Sequence, residues 1–109
     1  MLKKRLRLRA KEVEEVLKGG RSARSPHIQA KWVVSQEPLR SAAVVAKSLA
    51  RKANVRNALR RSIYRAIALV SPSSGPLPHA RAVFFLRVIP KERLSDVLKE
   101  EISFLLSKI

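Results

Sequence analysis

The sequence predicts an α+β domain in which helices pack on a single sheet. Three observations carry that prediction. Apolar residues recur with i, i+3, i+4 spacing in three separate segments, as in helices with one buried face. Between them lie short segments that alternate in polarity or run apolar, the patterns of half-buried and central strands. The resulting order is helix, two or three strands, helix, strand, helix, which places helices against one sheet. With 109 residues the chain has the length of one domain spanning 1–109. Its hydrophobic fraction of 46% excludes a wholly disordered chain.

Each element follows in turn. Residues 1–9 are a basic arm with interleaved leucines. Ala10, Val13, Val16 and Leu17 then mark a first helix. Gly19-Gly20 ends it, glycine being suited to a left-handed cap. RSARSP at 21–26 is a polar connection or a short edge strand. In HIQAKWVVS, residues Ile28, Ala30, Trp32 and Val34 face one way and His27, Gln29 and Lys31 the other. QEPL at 36–39 is a turn, and RSAAVVA at 40–46 is a nearly all-apolar, central strand. After the basic loop 47–54, Asn54 is the expected N-cap of a helix from about Val55 to Val70. Its stripe is Val55, Leu59, Ile63, Ala66, Ile67 and Val70. Three prolines and a glycine make 71–80 a loop. RAVFFLRV at 81–88 is a strand parallel to 40–46, and Pro90 stops it. A last helix runs from about Ser95 to Ser107 on Val97, Leu98, Ile102, Leu105 and Leu106.

Charge points to the partner. Lys and Arg number 24 against 8 Asp and Glu, for a net +16. A compact domain so charged repels itself unless a polyanion neutralises it, and nucleic acid is the usual one. The imbalance is local: eleven basic residues and no acid lie between Glu37 and Glu92. The acids cluster at 12–15 and 92–101, in amphipathic stretches that read as solvated helix faces. In RKANVRNALRRSIYR, residues 51–65, one helix face packs and the other presents cations. Guanidinium groups bind phosphate bidentately and stay charged. A basic loop and helix on an α+β scaffold suits structured RNA. A DNA-binding module is the weaker reading, since no helix-turn-helix precedes the basic helix.

Other classes find little support. There is no cysteine, which excludes disulfides and fits a reducing, cytoplasmic setting. No apolar run is long enough to span a membrane, and the N-terminus lacks the pattern of a signal peptide. Asp96 is the only Asp, so paired aspartates for a two-metal nuclease are absent. His27 and His79 have no partner nearby in sequence and read as surface and loop residues. The expectation is no catalytic residue and no metal site in this chain.

KANVRNALRR, residues 52–61, resembles the signature of the bacterial ribonuclease P protein component. Lys52-Ala53, Arg56-Asn57 and Arg60-Arg61 hold the matching positions at the start of the central helix. RSAAVVAK resembles that family's Arg-led strand ending in lysine, here Lys47. The RLR at 5–7, the short first helix, Gly20 and the late strand ending in Arg87 are similar too. The likeness spans nearly the whole chain, with the central motif its specific part. It implies a three-helix, four-stranded, two-layer α-β sandwich like domain 2 of ribosomal protein S5, in the order α-β-β-β-α-β-α. The β-α-β crossover would be left-handed, against the usual rule.

The resemblance also implies a function. The chain would be the protein subunit of a ribozyme, an endoribonuclease that removes 5′ leaders from precursor tRNA. Its partners would be the catalytic RNA subunit and precursor tRNA, with no DNA and no membrane. Mg²⁺ would accompany the RNA, and the protein itself would bind no cofactor. The RNA-binding residues implied are Arg5, Arg7, Arg9, Lys47, Arg51, Lys52, Arg56, Asn57, Arg60, Arg61 and Arg65. The cleft for the leader, lined by aromatics in the family, would here be Val13, Leu17, Ile28 and Lys31, which weakens base stacking. Tyr64-Arg65 stands where the family has Arg-Glu, making the helix more cationic. A structural ribosomal protein on the same fold is the alternative.

Overall fold

A computed structural model describes residues 6–70 and 78–109. The elements are α1 (Ala10–Gly19), β1 (Arg21–Arg24), β2 (Ile28–Val34), β3 (Arg40–Val45), α2 (Ala53–Val70), β4 (Ala80–Leu86) and α3 (Leu94–Lys108). This is the expected α-β-β-β-α-β-α order. The strands form one sheet in the order β1-β2-β4-β3. β1 and β2 pair antiparallel, as do β2 and β4. β3 runs parallel to β4, with Arg40 opposite Arg81 and Val45 opposite Leu86. A parallel pair needs a crossover, and α2 supplies it. The segment RSAR, left open between connection and strand, forms the edge strand β1.

Period two along each strand sorts the side chains onto two faces. Ile28, Ala30, Trp32, Ala43, Val45, Ala82, Phe84 and Leu86 are buried in one large core. Leu59, Ile63, Ala66, Ile67 and Val70 from α2 and Leu98, Ile102, Leu105 and Leu106 from α3 complete it. These two helices therefore form one layer on the sheet. The opposite parity gives a small second cluster, Val16, Ala42 and Val83, with Val13, Val33, Val44 and Phe85 packed against it. α1 lies on that face, touching β2 and β4, and leaves part of the face uncovered. Among the described residues no helix is long and apolar enough to cross a membrane.

Local differences from the sequence expectation have physical causes. α2 begins at Ala53, and the Lys52 carbonyl accepts the first helical bond from the Arg56 N–H at 3.1 Å. Asn54 thus lies inside the first turn and is not the cap. Val55, one turn before the packed stripe, is 40% exposed. Val34 is 81% exposed although in phase with Trp32, because it ends its strand beyond the covered core. Gly20 is extended, with φ −77° and ψ 156°, so it is not a left-handed cap. It is needed for close approach instead. A Cβ there would lie 2.6 Å from the Val16 carbonyl oxygen and 2.9 Å from that of Trp32.

Two acids expected on solvated faces are engaged. Glu101 of α3 is 9% exposed. It accepts from the Ser25 hydroxyl and from the His27 backbone N–H at 2.7 Å, and its Oε2 lies 2.5 Å from His27 Nδ1. The imidazole read as an unpartnered surface group thus clasps the β1–β2 turn to α3. Burial pushes the Glu101 carboxyl up, but the Ser25 and His27 hydrogen bonds outweigh it and hold the group below its ordinary value. Glu12 pairs with Arg40 and is treated with the interface below.

Gly20→Ala should lower unfolding free energy by about 1–3 kcal/mol, read by urea denaturation. Glu101→Gln should lower stability at pH 7 by about 2–3 kcal/mol. Because the Glu101 carboxyl ionises more readily folded than unfolded, its contribution is present above the unfolded value, about 4.3, and is lost as pH falls through the folded one. The gap between wild type and variant should therefore close in acid, and a gap that does not change with pH contradicts this assignment.

Candidate nucleic-acid interface

The buried stripe of α2 dictates what its other side shows. With Leu59, Ile63, Ala66, Ile67 and Val70 against the sheet, Asn57, Arg60, Arg61 and Arg65 are exposed. No acid lies in the first turn of α2. The carboxylates that form ion pairs among the described residues all belong to α1 or α3: Glu12, Glu15, Asp96 and Glu101. The arginines of α2 have no such counter-charge. Within α2, Arg60 Nη2 donates to Asn57 Oδ1. Asn57 thus orients a neighbouring guanidinium.

The sequence-expected residues fall into distinct groups. Lys47, Arg51 and Lys52 are exposed on the loop leading into α2. Arg56 behaves differently from the outward contact expected of it. Its Nη1 donates to the carbonyls of Ala50 at 2.9 Å and Arg51 at 2.7 Å. It braces the loop that carries the other cations. Arg7 comes to the α2 face from the N-terminal arm, where it bridges to Ser41 of β3. Together with Asn57, Arg60, Arg61 and Tyr64 it lines a notch of about 360 Å³. Arg9 is exposed at the start of α1, and Arg5 lies outside the described residues.

The second surface is the uncovered part of the sheet beside α1. Val13 packs at the edge of the small cluster, Leu17 is 40% exposed, and Lys31 shares the parity of Val83 and Ala42 on this face. Ile28 does not join them. It is fully buried on the α2–α3 side, and the alternation that sends Trp32 into the core sends Ile28 with it. Three cleft residues escape the sequence reading. Phe85 sits on this face in partial exposure, opposite Gln29 on one side and Val44 on the other. The Arg87 guanidinium carbon lies 5.5 Å from the Phe85 ring centroid, within cation–π range. Arg87 Nε donates to Gln29 Oε1 at 2.9 Å. The signal was present: two adjacent phenylalanines in one strand must face opposite sides.

The position of α1, and so the opening of this cleft, depends on Glu12. Its carboxylate receives Arg40 Nη1 at 2.5 Å and Nη2 at 2.9 Å, a bidentate pair, and the Arg9 backbone N–H at 2.9 Å. Arg81 lies 3.8 Å away and also reaches Glu15 at 3.2 Å. The Arg9 N–H, then the Arg40 hydrogen bonds, hold the Glu12 carboxyl below its ordinary value against the opposing effect of burial. Two arginines of the sheet thereby fasten α1 and are withdrawn from the outer charge. Among the described residues no group of three or more potential metal ligands occurs.

Removing an outward arginine and a bracing one should give different results. Arg61→Ala should leave the melting temperature unchanged and reduce the slope of log affinity against log salt for a structured RNA by about 1. Arg56→Ala should speed amide hydrogen exchange across 47–52, where its carbonyl bonds lie. Equal effects of the two substitutions on loop protection would contradict the distinction.

Comparison with known proteins bears on the family and the fold. The family model described as Ribonuclease P matches residues 2–109. No curated protein matches the chain by sequence. Solved structures with a similar fold include the RNase P protein of Staphylococcus aureus, 17% identical, with 94% of each chain covered and a TM-score of 0.73. Another is the RNase P protein of Thermotoga maritima, 21% identical, covering 94% of this chain and 96% of that one, with a TM-score of 0.73. A mutant of the Staphylococcus aureus protein superposes with a TM-score of 0.79 at 17% identity, over 96% of this chain and 88% of that one. From a match over essentially its whole length, on the fold those structures share, the chain belongs to the ribonuclease P protein family.

Proposed function

We propose that this chain is the protein subunit of ribonuclease P, which docks on the catalytic RNA and holds the 5′ leader of precursor tRNA for removal. The single observation that carries the reading is the arginine face of α2. Its cations are anchored from beneath by a buried stripe and lack counter-charge among the described residues, while the paired carboxylates lie on α1 and α3. A rigid array of guanidinium groups suits the fixed phosphate positions of a folded RNA. The loop cations Lys47, Arg51 and Lys52 and the arm residues Arg7 and Arg9 extend that surface.

The cleft beside α1 suits the single-stranded leader. Phe85 offers a ring for stacking, Arg87 and Lys31 offer charge to the backbone, and Val13 and Leu17 form the apolar wall. Phe85 moves the stacking surface from α1 to the middle of the sheet, so this cleft is less depleted of aromatics than the residues on α1 alone imply. In this reading the hydrolytic centre and its Mg²⁺ belong to the RNA, and the protein contributes binding and position.

The test is reconstitution with the ribonuclease P RNA of the same organism at low Mg²⁺. The wild-type chain should accelerate precursor-tRNA cleavage, and Arg60→Ala/Arg61→Ala/Arg65→Ala should not. Phe85→Ala should weaken the preference for precursor over mature tRNA by about 1–3 kcal/mol, the value of one base stack. Failure of the wild-type chain to stimulate cleavage, or its co-purification with ribosomal RNA instead, would contradict the proposal.

A further inference from the structure

We propose that Tyr64 is a positioning residue that latches the N-terminal arm to α2, so that Arg7 joins Arg60 and Arg61 around one phosphate group of folded RNA. The inference rests on the reading of this chain as an RNA-binding subunit and adds to it how the arm is held.

The latch has two sides. β3 is an edge strand of the sheet, so backbone groups on its outer side need partners from elsewhere. The arm meets this need at Ser41, whose carbonyl accepts the Leu8 N–H at 2.8 Å. Two residues further on, where the outer edge recurs, the Ala43 N–H donates to the Tyr64 hydroxyl at 3.1 Å. The arm and the phenol therefore cap the same edge in succession. The other side of the latch is the ring. The Arg7 guanidinium carbon lies 5.5 Å from the Tyr64 ring centroid, and such a contact both attracts the cation and limits its rotamers.

What the latch delivers is charge at a defined place. Arg7, Arg60 and Arg61 share the notch with Asn57, and Asn57 holds Arg60 by a hydrogen bond. Three guanidinium groups gathered without a carboxylate among the described residues repel one another until an anion enters. A phosphate oxygen supplies that charge and accepts from the outward N–H groups.

The test is binding of the same organism's ribonuclease P RNA across a salt series, alongside cleavage stimulation. Arg7→Ala should reduce the slope of log affinity against log salt by about 1, as loss of one phosphate contact does. Tyr64→Leu should do the same with residues 7, 60 and 61 intact, and the double variant should be no worse than either single. Tyr64→Phe keeps the ring but loses the bond to Ala43, and should give a slope between those of wild type and Tyr64→Leu. A wild-type slope in Tyr64→Leu, or a double variant whose loss is the sum of the singles, would overturn the latch. The free wild-type protein gives a second measurement that needs no variant. With one tyrosine in the chain, its ring protons should show nuclear Overhauser contacts to the Arg7 side chain, and their absence would also overturn it. RNA binding without stimulation of cleavage would remove the functional reading while the slopes still judged Tyr64. Stimulation with unaltered slopes in the variants would remove the latch alone.

Discussion

Burial of one apolar stripe on α2 is the constraint from which the functional surface follows. Leu59, Ile63, Ala66, Ile67 and Val70 are each at most 7% exposed, and each large side chain so buried contributes about 1.5–3 kcal/mol. The helix cannot rotate about its axis without exposing them. Its cations are thereby aimed outward and held in a fixed pattern, although they repel one another. Without that anchor, the same sequence would present a diffuse cloud of charge, with nothing to match the phosphate positions of a particular RNA fold.

The acids complete the division of labour. Glu12 and Glu15 engage Arg40 and Arg81, and Glu101 engages His27. These contacts fasten α1 and α3 to the sheet, and those of Glu12 and Glu15 neutralise arginines that belong to the scaffold. The arginines of α2, its loop and the arm stay outside these pairs. Net charge alone therefore understates the contrast between the surfaces, because ion pairing is confined to the elements that frame the interface. The cleft inherits its geometry from the same pairs: Glu12 sets where α1 sits, and α1 leaves Phe85, Gln29 and Arg87 uncovered beyond it.

Much of this was legible in the chain because period carries orientation. The α2 stripe, the parallel β3–β4 pair and the burial of Trp32 all follow from spacing. What escaped depended on contacts between distant residues. His27 and Glu101 lie 74 positions apart, and no local pattern links them. Arg56 matched the motif, yet its guanidinium turns to carbonyls five and six residues earlier, a choice made by the shape of the loop. The resemblance implies Ile28 in the cleft, although the alternation around it points inward. Phe84 and Phe85 had to face opposite sides, but which of them faces the cleft is settled by the sheet register. Gly20 was recognised as necessary for the wrong reason: its role is contact between α1 and β2, which sequence spacing does not reveal.

Nuclear magnetic resonance mapping of the RNA-bound protein judges the central claim most directly. Titration of the isotopically labelled chain with its ribonuclease P RNA should move the amides of 7–9, 47–52 and 57–65 most, and leave the outer surface of α3 around Asp96–Phe104 nearly unmoved. Largest changes on α3, with the arginine face of α2 undisturbed, would contradict it.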